Sequence, residues 1–335
     1  MQTGLYSRLG LAALAVTASM GTALAQDKLT ITLDTPPSHV RNIWVQKFAD
    51  ALEERSGGAM KSQIFSSGQL YSSRDAPKAV SRGDAGMAIV PTPTLAAIQS
   101  DLNVTDLPMF NGLSQEQMDR VVDGPLGQTL SEMTAEKIRV IVPGGWFVLG
   151  EDHTYSTTRE INSFADLKGL QIRIPGAAGW IARYKQMGAN PVNMPFTDVP
   201  LALQQGAVDA IVSTNSSIVS AKLHESGLKH AFLNRIGIGY YMPIVSREYW
   251  SSLSDDQQKL FRDTWNEFVA GQRAAALADQ REARKTLEAA GMVFVEPTPE
   301  DMAQATAATA AIQDDLIGNL DISPEIVAMA REALQ

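Results

Sequence analysis

Two stretches far apart in the chain read alike. "AVSRGDAGMAIV" at residues 79–90 and "ALQQGAVDAIVS" at residues 202–213 each pass from a short helix through a glycine and an acidic residue into an apolar strand. Each stretch closes a longer run in the order β-α-β-α-β. The first run is "KLTITLD", then the helix "VRNIWVQKFADALEERSGG", then "MKSQIFSSGQL", the short helix "SRDAPKAVSRGDAG" and the strand "GMAIVPT". In its long helix Val40, Ile43, Trp44, Phe48 and Leu52 recur at helical spacing, and Gly57 with Gly58 stops it. Ser73 is the expected N-cap of the short helix, and Gly83 lies just past its end. The second run is "LQIRIP", "AAGWIARYKQMGA" ending at Gly188, "PVNMP", "TDVPLALQQG" with Thr197 as expected N-cap, and "VDAIVST". Strands alternating with helices in this way require parallel pairing with helices on the faces. A chain that does this twice is expected to form two similar α/β lobes, not one large sheet.

The remaining segments join the lobes. Between the runs lie a helix near residues 115–135 and the strand "IRVIVPG". After the second run, "GIGYYMPIVSREYW" reads as a strand crossing back. The segment from "SLSDDQQ" to "LEAAG" is one long amphipathic helix or two joined ones, opened by Ser254, Asp255 and Asp256. It is too long for one lobe and is expected to span both, with an Ala-rich helical tail after it. The expected division is residues 27–150 with about 239–278 in one lobe and residues 151–238 with about 279–335 in the other. Two lobes so joined leave a cleft, and ligands of parallel sheets bind beyond the carboxyl ends of the strands. Arg173, Pro91, Thr92, Ser213 and Asp34 fall at or near such ends.

Composition narrows the function. Residues 1–26 combine Arg8, an apolar run and the small-residue pattern Ala23-Leu24-Ala25, as expected of a cleaved secretory leader. The chain has no cysteine, which excludes disulfides and thiolate metal sites. A net charge of −9 without a basic tract argues against nucleic acid as a partner. The four histidines lack metal-ligand spacing, so no metal and no cofactor are expected. No phosphate-binding loop or nucleophile elbow is present. A secreted two-lobed protein with a cleft and no catalytic signature points to binding.

One strand then stands out. "LKGLQIRIPG" places Arg173 at the centre of a strand pattern. A buried guanidinium cannot shed its charge and needs a partner. That partner is either a carboxylate of this chain or a group that arrives from outside.

The segments "FADALEERSGG", "GDAGMAIV", "VTDLPMF", "VVDGPLGQ", "LKGLQIRIPG", "MGANPVNMPFTDVPLALQQGAVDA" and "IVSREYWSSLSDDQQK" resemble the solute-binding proteins of tripartite ATP-independent periplasmic (TRAP) transporters, the DctP-type family. The resemblance runs from about residue 29 to 290 and is most specific from Leu167 to Ala210. It implies a two-lobed α/β periplasmic binding protein fold, with hinge strands, a long lobe-spanning helix and a ligand cleft between the lobes. It also implies a periplasmic location, an organic-acid ligand and no enzymatic activity. The small and large membrane permease subunits would be the partners, and a monomer is the expected state. Arg173 takes the place of the family's signature arginine, which forks onto the ligand carboxylate. "NMPFTDV" makes Phe196 a candidate wall, though it could equally be core. Ser213, or Asn215 two residues on, stands where relatives place a ligand-contacting Asn; either could donate a hydrogen bond or shape the loop. Asp34, Ser38 and His39 fall near the cleft rim, with Pro91 and Thr92 at the end of the third strand and Ala177 just past the Arg173 strand. Trp146, Trp180, Tyr240 and Tyr241 are candidates for an apolar wall or for core.

The sequence departs from the family in one place. Many relatives carry a second arginine after a tryptophan-containing strand, and counting back from "REIN" puts His153 there. A weaker second clamp disfavours doubly carboxylated ligands and sialic acid, and leaves a small monocarboxylate as the expected ligand. A secreted hydrolase or lyase on the same scaffold, or a binding protein that serves a sensor, are the competing readings.

Overall fold

The structure, a computed structural model, describes residues 28–335 apart from 158 and 177. The expected leader over residues 1–26 lies outside the described residues. The first lobe runs β1 (Leu29–Thr32), α1 (Val40–Arg55), β2 (Ser62–Phe65), α2 (Ala76–Arg82), β3 (Met87–Pro91) and α3 (Thr92–Ala96). Two 3₁₀ segments, Ser100–Asp106 and Pro108–Phe110, lead to α4 (Gln115–Asp123), α5 (Pro125–Lys137), β4 (Val140–Ile141) and β5 (Phe147–Ser156). The second lobe runs β6 (Gln171–Ile174), α6 (Ala178–Gln186), β7 (Asn190–Asn193), α7 (Val199–Gln204), β8 (Ala210–Ser213) and α8 (Asn215–Ser220). The chain then follows β9 (His230–Ser246), α9 (Arg247–Ser252), α10 (Asp255–Ala289), β10 (Val293–Val295), α11 (Pro299–Ala310), α12 (Gln313–Asn319) and α13 (Pro324–Glu332).

Both expected β-α-β-α-β runs form, and their strands pair in parallel: β1 with β2 and β3, and β6 with β7 and β8. The separation into two sheets does not hold. Strand order β2-β1-β3-β9-β5-β8-β6-β7 makes one hydrogen-bonded sheet, with β9 and β5 antiparallel in the middle. These two strands are the crossovers. The end of β9 pairs with β3, whereas its start pairs with the end of β5 beside β8. Register shifts interrupt the β5–β9 pairing between Val148 and Gly150 and between Asp152 and Thr154, at the boundary of the lobes. Such bulges bend a strand and re-aim its side chains.

Each lobe buries both faces of its inner strands, which explains why β3 and β8 are apolar without alternation, whereas the edge strands β2 and β7 stay partly exposed. In the first lobe Ile31, Phe48, Phe261 and Trp265 pack on one face, and Val90, Leu102, Val122 and Leu130 on the other. In the second, Ile211, Leu203 and Leu287 form one cluster, and Ile172, Trp180 and Tyr184 another.

The long segment is one helix. At 35 residues, α10 extends about 52 Å at ~1.5 Å per residue. It starts with the capping box of Ser254 and Gln257. Trp265 stacks on Phe147 with ring centroids 4.3 Å apart. Gln272 then clamps the backbone of Val148, accepting from its N–H and donating to its carbonyl at 2.9 and 2.7 Å. Gln280 donates to Leu149 O and accepts from Ser216 N, tying β5 to α8 of the second lobe.

Several local expectations change. The helix near 115–135 is two, broken at Gly124-Pro125, because proline fits only a first turn. Asp75 and Asp198 take the N-cap positions of α2 and α7, expected at Ser73 and Thr197. The tail does not stay with the second lobe. Leu316, Ile322, Ile326 and Val327 join the first lobe's cluster, and Ser323 donates to Asp101. An Ala-rich amphipathic helix carries no signal for which lobe it covers.

Candidate functional site

The strand ends of the two lobes meet around a cavity of about 50 Å³. Asp34, Thr35, Ser73, Pro91, Pro93 and Thr94 come from the first lobe, and Arg173, Pro175, Trp180, Phe196, Val212, Ser213 and Ser217 from the second. The crossing strands add Leu149, Asp152, Gly239, Tyr240 and Tyr241.

Arg173 is 3% exposed. Its Nε donates to Met194 O at 2.9 Å and Nη1 to Val212 O at 3.3 Å, so backbone carbonyls beyond β7 and on β8 hold the guanidinium in place. Among the described residues no carboxylate lies within the 4.0 Å of an ion pair. Burial pulls its pKa down to about 10, against the opposing pull of Asp34 and Asp152. Phe196 flanks it, with the guanidinium carbon 5.7 Å from the ring centroid.

A second buried arginine behaves differently. Arg41 is fully buried, is ion-paired to Asp34, and donates to Thr35 Oγ1 at 2.6 Å and Ile89 O at 3.1 Å. It also lies 4.1 Å above the Tyr241 ring. Burial opposes the charged form of Asp34, but Arg41 and hydrogen bonds from Arg41 and Ser73 hold its carboxyl below the ordinary value. Asp34 therefore reaches the cavity already committed to an internal partner. Arg173 does not.

The sequence candidates divide. Arg173, Phe196, Ser213, Asp34, Pro91 and Tyr240 line the cavity together. Tyr240 anchors its hydroxyl on Asp119 Oδ1 at 2.6 Å. Ser38 and His39 sit instead at the seam between the lobes. Ser38 donates to Ser220 O at 3.4 Å, and His39 Nε2 lies 3.2 Å from Ser217 Oγ. His39 also caps α1, its Nδ1 accepting from Arg41 N. Burial, with Arg41 beside it, lowers its pKa to about 3. Thr92 is buried and donates to Tyr240 O, and Trp146 bonds Ser131 Oγ; both stand outside the cavity lining. Asn215 accepts from the Tyr155 hydroxyl at 2.7 Å, also away from the cavity. Ala177 lies outside the described residues.

His153 requires the main correction. It does not line the Arg173 cavity. Its Nδ1 accepts from Arg235 N at 3.3 Å and its Nε2 stands 3.8 Å from Glu151, in a separate groove with Arg235 and Arg284. Burial drives its pKa to about 3. Its neighbour Asp152 faces the cavity instead, since successive side chains of a strand point to opposite sides. Asp152 was not foreseen, and neither were Ser217, Thr35, Ser73 and Thr94. The sequence signal for Asp152 is its place beside an expected ligand group; the register slip that turns it to the cavity is visible only in the structure.

No group of three or more His, Cys, Asp and Glu side chains among the described residues could hold a metal. No helix among them is long and apolar enough to cross a membrane.

Comparison with known proteins adds the family. Residues 33–318 match the model of DctP, bacterial extracellular solute-binding protein family 7. The 2,3-diketo-L-gulonate-binding periplasmic protein YiaO of Escherichia coli is 26% identical over 276 residues, covering 82% of each chain. The sugar acid binding protein DctPAm of Advenella mimigardefordensis, solved with galactonate, superposes with a TM-score of 0.86 at 21% identity over 92% of this chain and 98% of that one. A TRAP periplasmic solute binding protein of Sulfurospirillum deleyianum, solved with succinate, gives 0.85 at 23% identity over 92% and 99%.

Proposed function

The chain belongs to family 7 of the bacterial extracellular solute-binding proteins, DctP, and on that premise we propose that it captures a small monocarboxylate between its lobes. It is a transport binding protein and not an enzyme, so the hydrolase or lyase alternative falls. The observation that carries the proposal is Arg173, a buried cation on the cavity wall with two backbone acceptors and no carboxylate partner among the described residues. A ligand carboxylate supplies the missing charge. Guanidinium geometry offers it parallel donors, and the dry setting strengthens the bond.

Two features favour a single carboxylate. Arg173 is the only cation among the described residues that line the cavity. A second ligand carboxylate would find no second cation there and would face the ionised Asp34, whose partner Arg41 is already engaged. Galactonate and 2,3-diketo-L-gulonate, which two of the matched proteins bind, carry one carboxylate, whereas succinate carries two. The scaffold thus accommodates both kinds, and the lining residues decide.

The lobes close on the solute by bending at β5 and β9, and the closed form presents it to the TRAP membrane subunits. The leader over residues 1–26 would send the chain, as a monomer, to the periplasm. A thermal-shift screen of mono- and dicarboxylates tests the ligand class. Monocarboxylates should stabilise the protein, and Arg173→Met should abolish the shift. A preference for dicarboxylates, or a shift that survives in Arg173→Met, would overturn the proposal.

A further inference from the structure

Asp152 is the second ionisable group in the cavity without a hydrogen-bond or ion-pair partner among the described residues. It is 4% exposed, and among the described residues no N–H or O–H donates to its carboxyl. Its oxygens are nonetheless not sealed in protein, since neither counts among the buried polar atoms left without a partner. They open into the cavity. The backbone makes room for them: a Cβ on Gly239 would stand 2.8 Å from Asp152 Oδ2 and 3.2 Å from Leu149 Cβ. A larger residue at 239 would push the carboxyl out of place.

A buried carboxyl without a donor is costly to any fold, and a structural Asp would have found one. Arg173 interacts with it but remains beyond ion-pair distance, held by Met194 O and Val212 O. Once a ligand carboxylate takes Arg173, Asp152 loses even that support. Burial first, and then Asp106, already push its pKa up to about 8, with Arg173 pulling the other way. The carboxyl is therefore set to exchange a hydrogen bond with the ligand, and it gives a second anion no cation to pair with.

Resting on the monocarboxylate reading above, we infer that Asp152 is the specificity group of the cavity. It selects a small monocarboxylate that also carries a hydrogen-bond donor, a hydroxyl or an amino group, and rejects both the donor-free analogue and the dicarboxylate. Arg173 and Asp152 read the two ends of one bifunctional ligand. Trp180, Phe196 and Tyr241 enclose the part between.

Calorimetric titration tests this with matched probes: lactate and alanine beside propionate, 3-hydroxybutyrate beside butyrate, and malonate. Wild-type protein should bind at least one donor-bearing acid about tenfold or more tightly than its donor-free partner. Asp152→Ala should bring that ratio to within about threefold while binding persists. Asp152→Asn keeps the shape and an acceptor oxygen. It should retain a hydroxy acid, but lose an amino acid by about tenfold or more, which tells the two donors apart. Equal affinity of the wild-type protein for donor-bearing and donor-free acids would overturn the inference. So would an unchanged ratio in both Asp152 variants. Failure of Arg173→Met to weaken any acid, or binding of none by the wild-type protein, would instead overturn the carboxylate reading on which it rests.

Discussion

Arg41 and Arg173 are both buried, yet replacing each by methionine should have opposite consequences. Arg41→Met removes the partner of Asp34 and leaves a buried carboxylate unpaired. Breaking a buried pair in this way costs about 3–5 kcal/mol. Arg173→Met removes a charge that the fold holds at a loss. Its pKa falls from the ordinary 12.5 to about 10, and ~2.5 units correspond to roughly 3 kcal/mol of disfavoured charge relieved by the change. Against this stand two lost hydrogen bonds, to Met194 O and Val212 O, each about 1.5 kcal/mol. The two effects nearly cancel. Urea denaturation of ligand-free protein should therefore place Arg173→Met within about 1 kcal/mol of wild type and Arg41→Met several kcal/mol below it, with unchanged m-values. If Arg173→Met lost as much stability as Arg41→Met, Arg173 would be structural and its partner internal.

Other outcomes follow from the same geometry. His39 and His153 stay neutral in the fold down to about pH 3. Below pH 6.5 only the unfolded chain gains their protons, so each should lower stability by about 2 kcal/mol at pH 5, and His39→Asn with His153→Gln should flatten that acid slope. Asp152 has the opposite sign. Its pKa of about 8 means that the unfolded chain loses the proton first, so stability falls as pH rises from about 4 to about 8. Asp152→Asn should be more stable than wild type by a few kcal/mol at pH 8, with the gap closing near pH 4. Gly239→Ala should weaken every acid in calorimetry, because its methyl would crowd Asp152 and Leu149; unchanged affinities would show that the wall has slack. Ser217→Ala removes the seam contact with His39 and should weaken ligand binding about fivefold, since closure loses roughly 1 kcal/mol. An unaltered affinity would place that contact outside the closing step.

The sequence carried the frame of this protein because the frame follows from local patterns. Repeated strand–helix order, glycine stops and the Ser254 capping box all act over a few residues, and each forms. Arg173 was legible for a related reason: a charge inside an apolar strand contradicts its surroundings and demands an explanation. What was missed depends on long-range register. His153 and Asp152 differ by one position, and a slip in the β5–β9 pairing beside them accompanies the turn that sets Asp152, not His153, in the cavity wall. His39 looked like a rim residue, but its ring caps α1 and meets Ser217, a contact that exists only once the lobes are set against each other. Ser217 and Thr94 are small polar residues in loops or at helix starts, and they became lining residues only through that same approach. Helix α13 follows second-lobe segments in the sequence, whereas its apolar residues Ile326, Val327 and Ala330 pack in the first lobe's cluster.

On the proposed function, Arg173 holds the carboxylate of a bound acid. A crystal structure of the protein with the tightest-binding acid from the screen tests it most directly. The carboxylate should face the Arg173 guanidinium with two oxygens about 2.8 Å from its nitrogens, as charge-assisted pairs do, and the polar substituent should lie against Asp152. A carboxylate bound elsewhere in the cleft, with Arg173 still turned only to Met194 and Val212, would contradict the account.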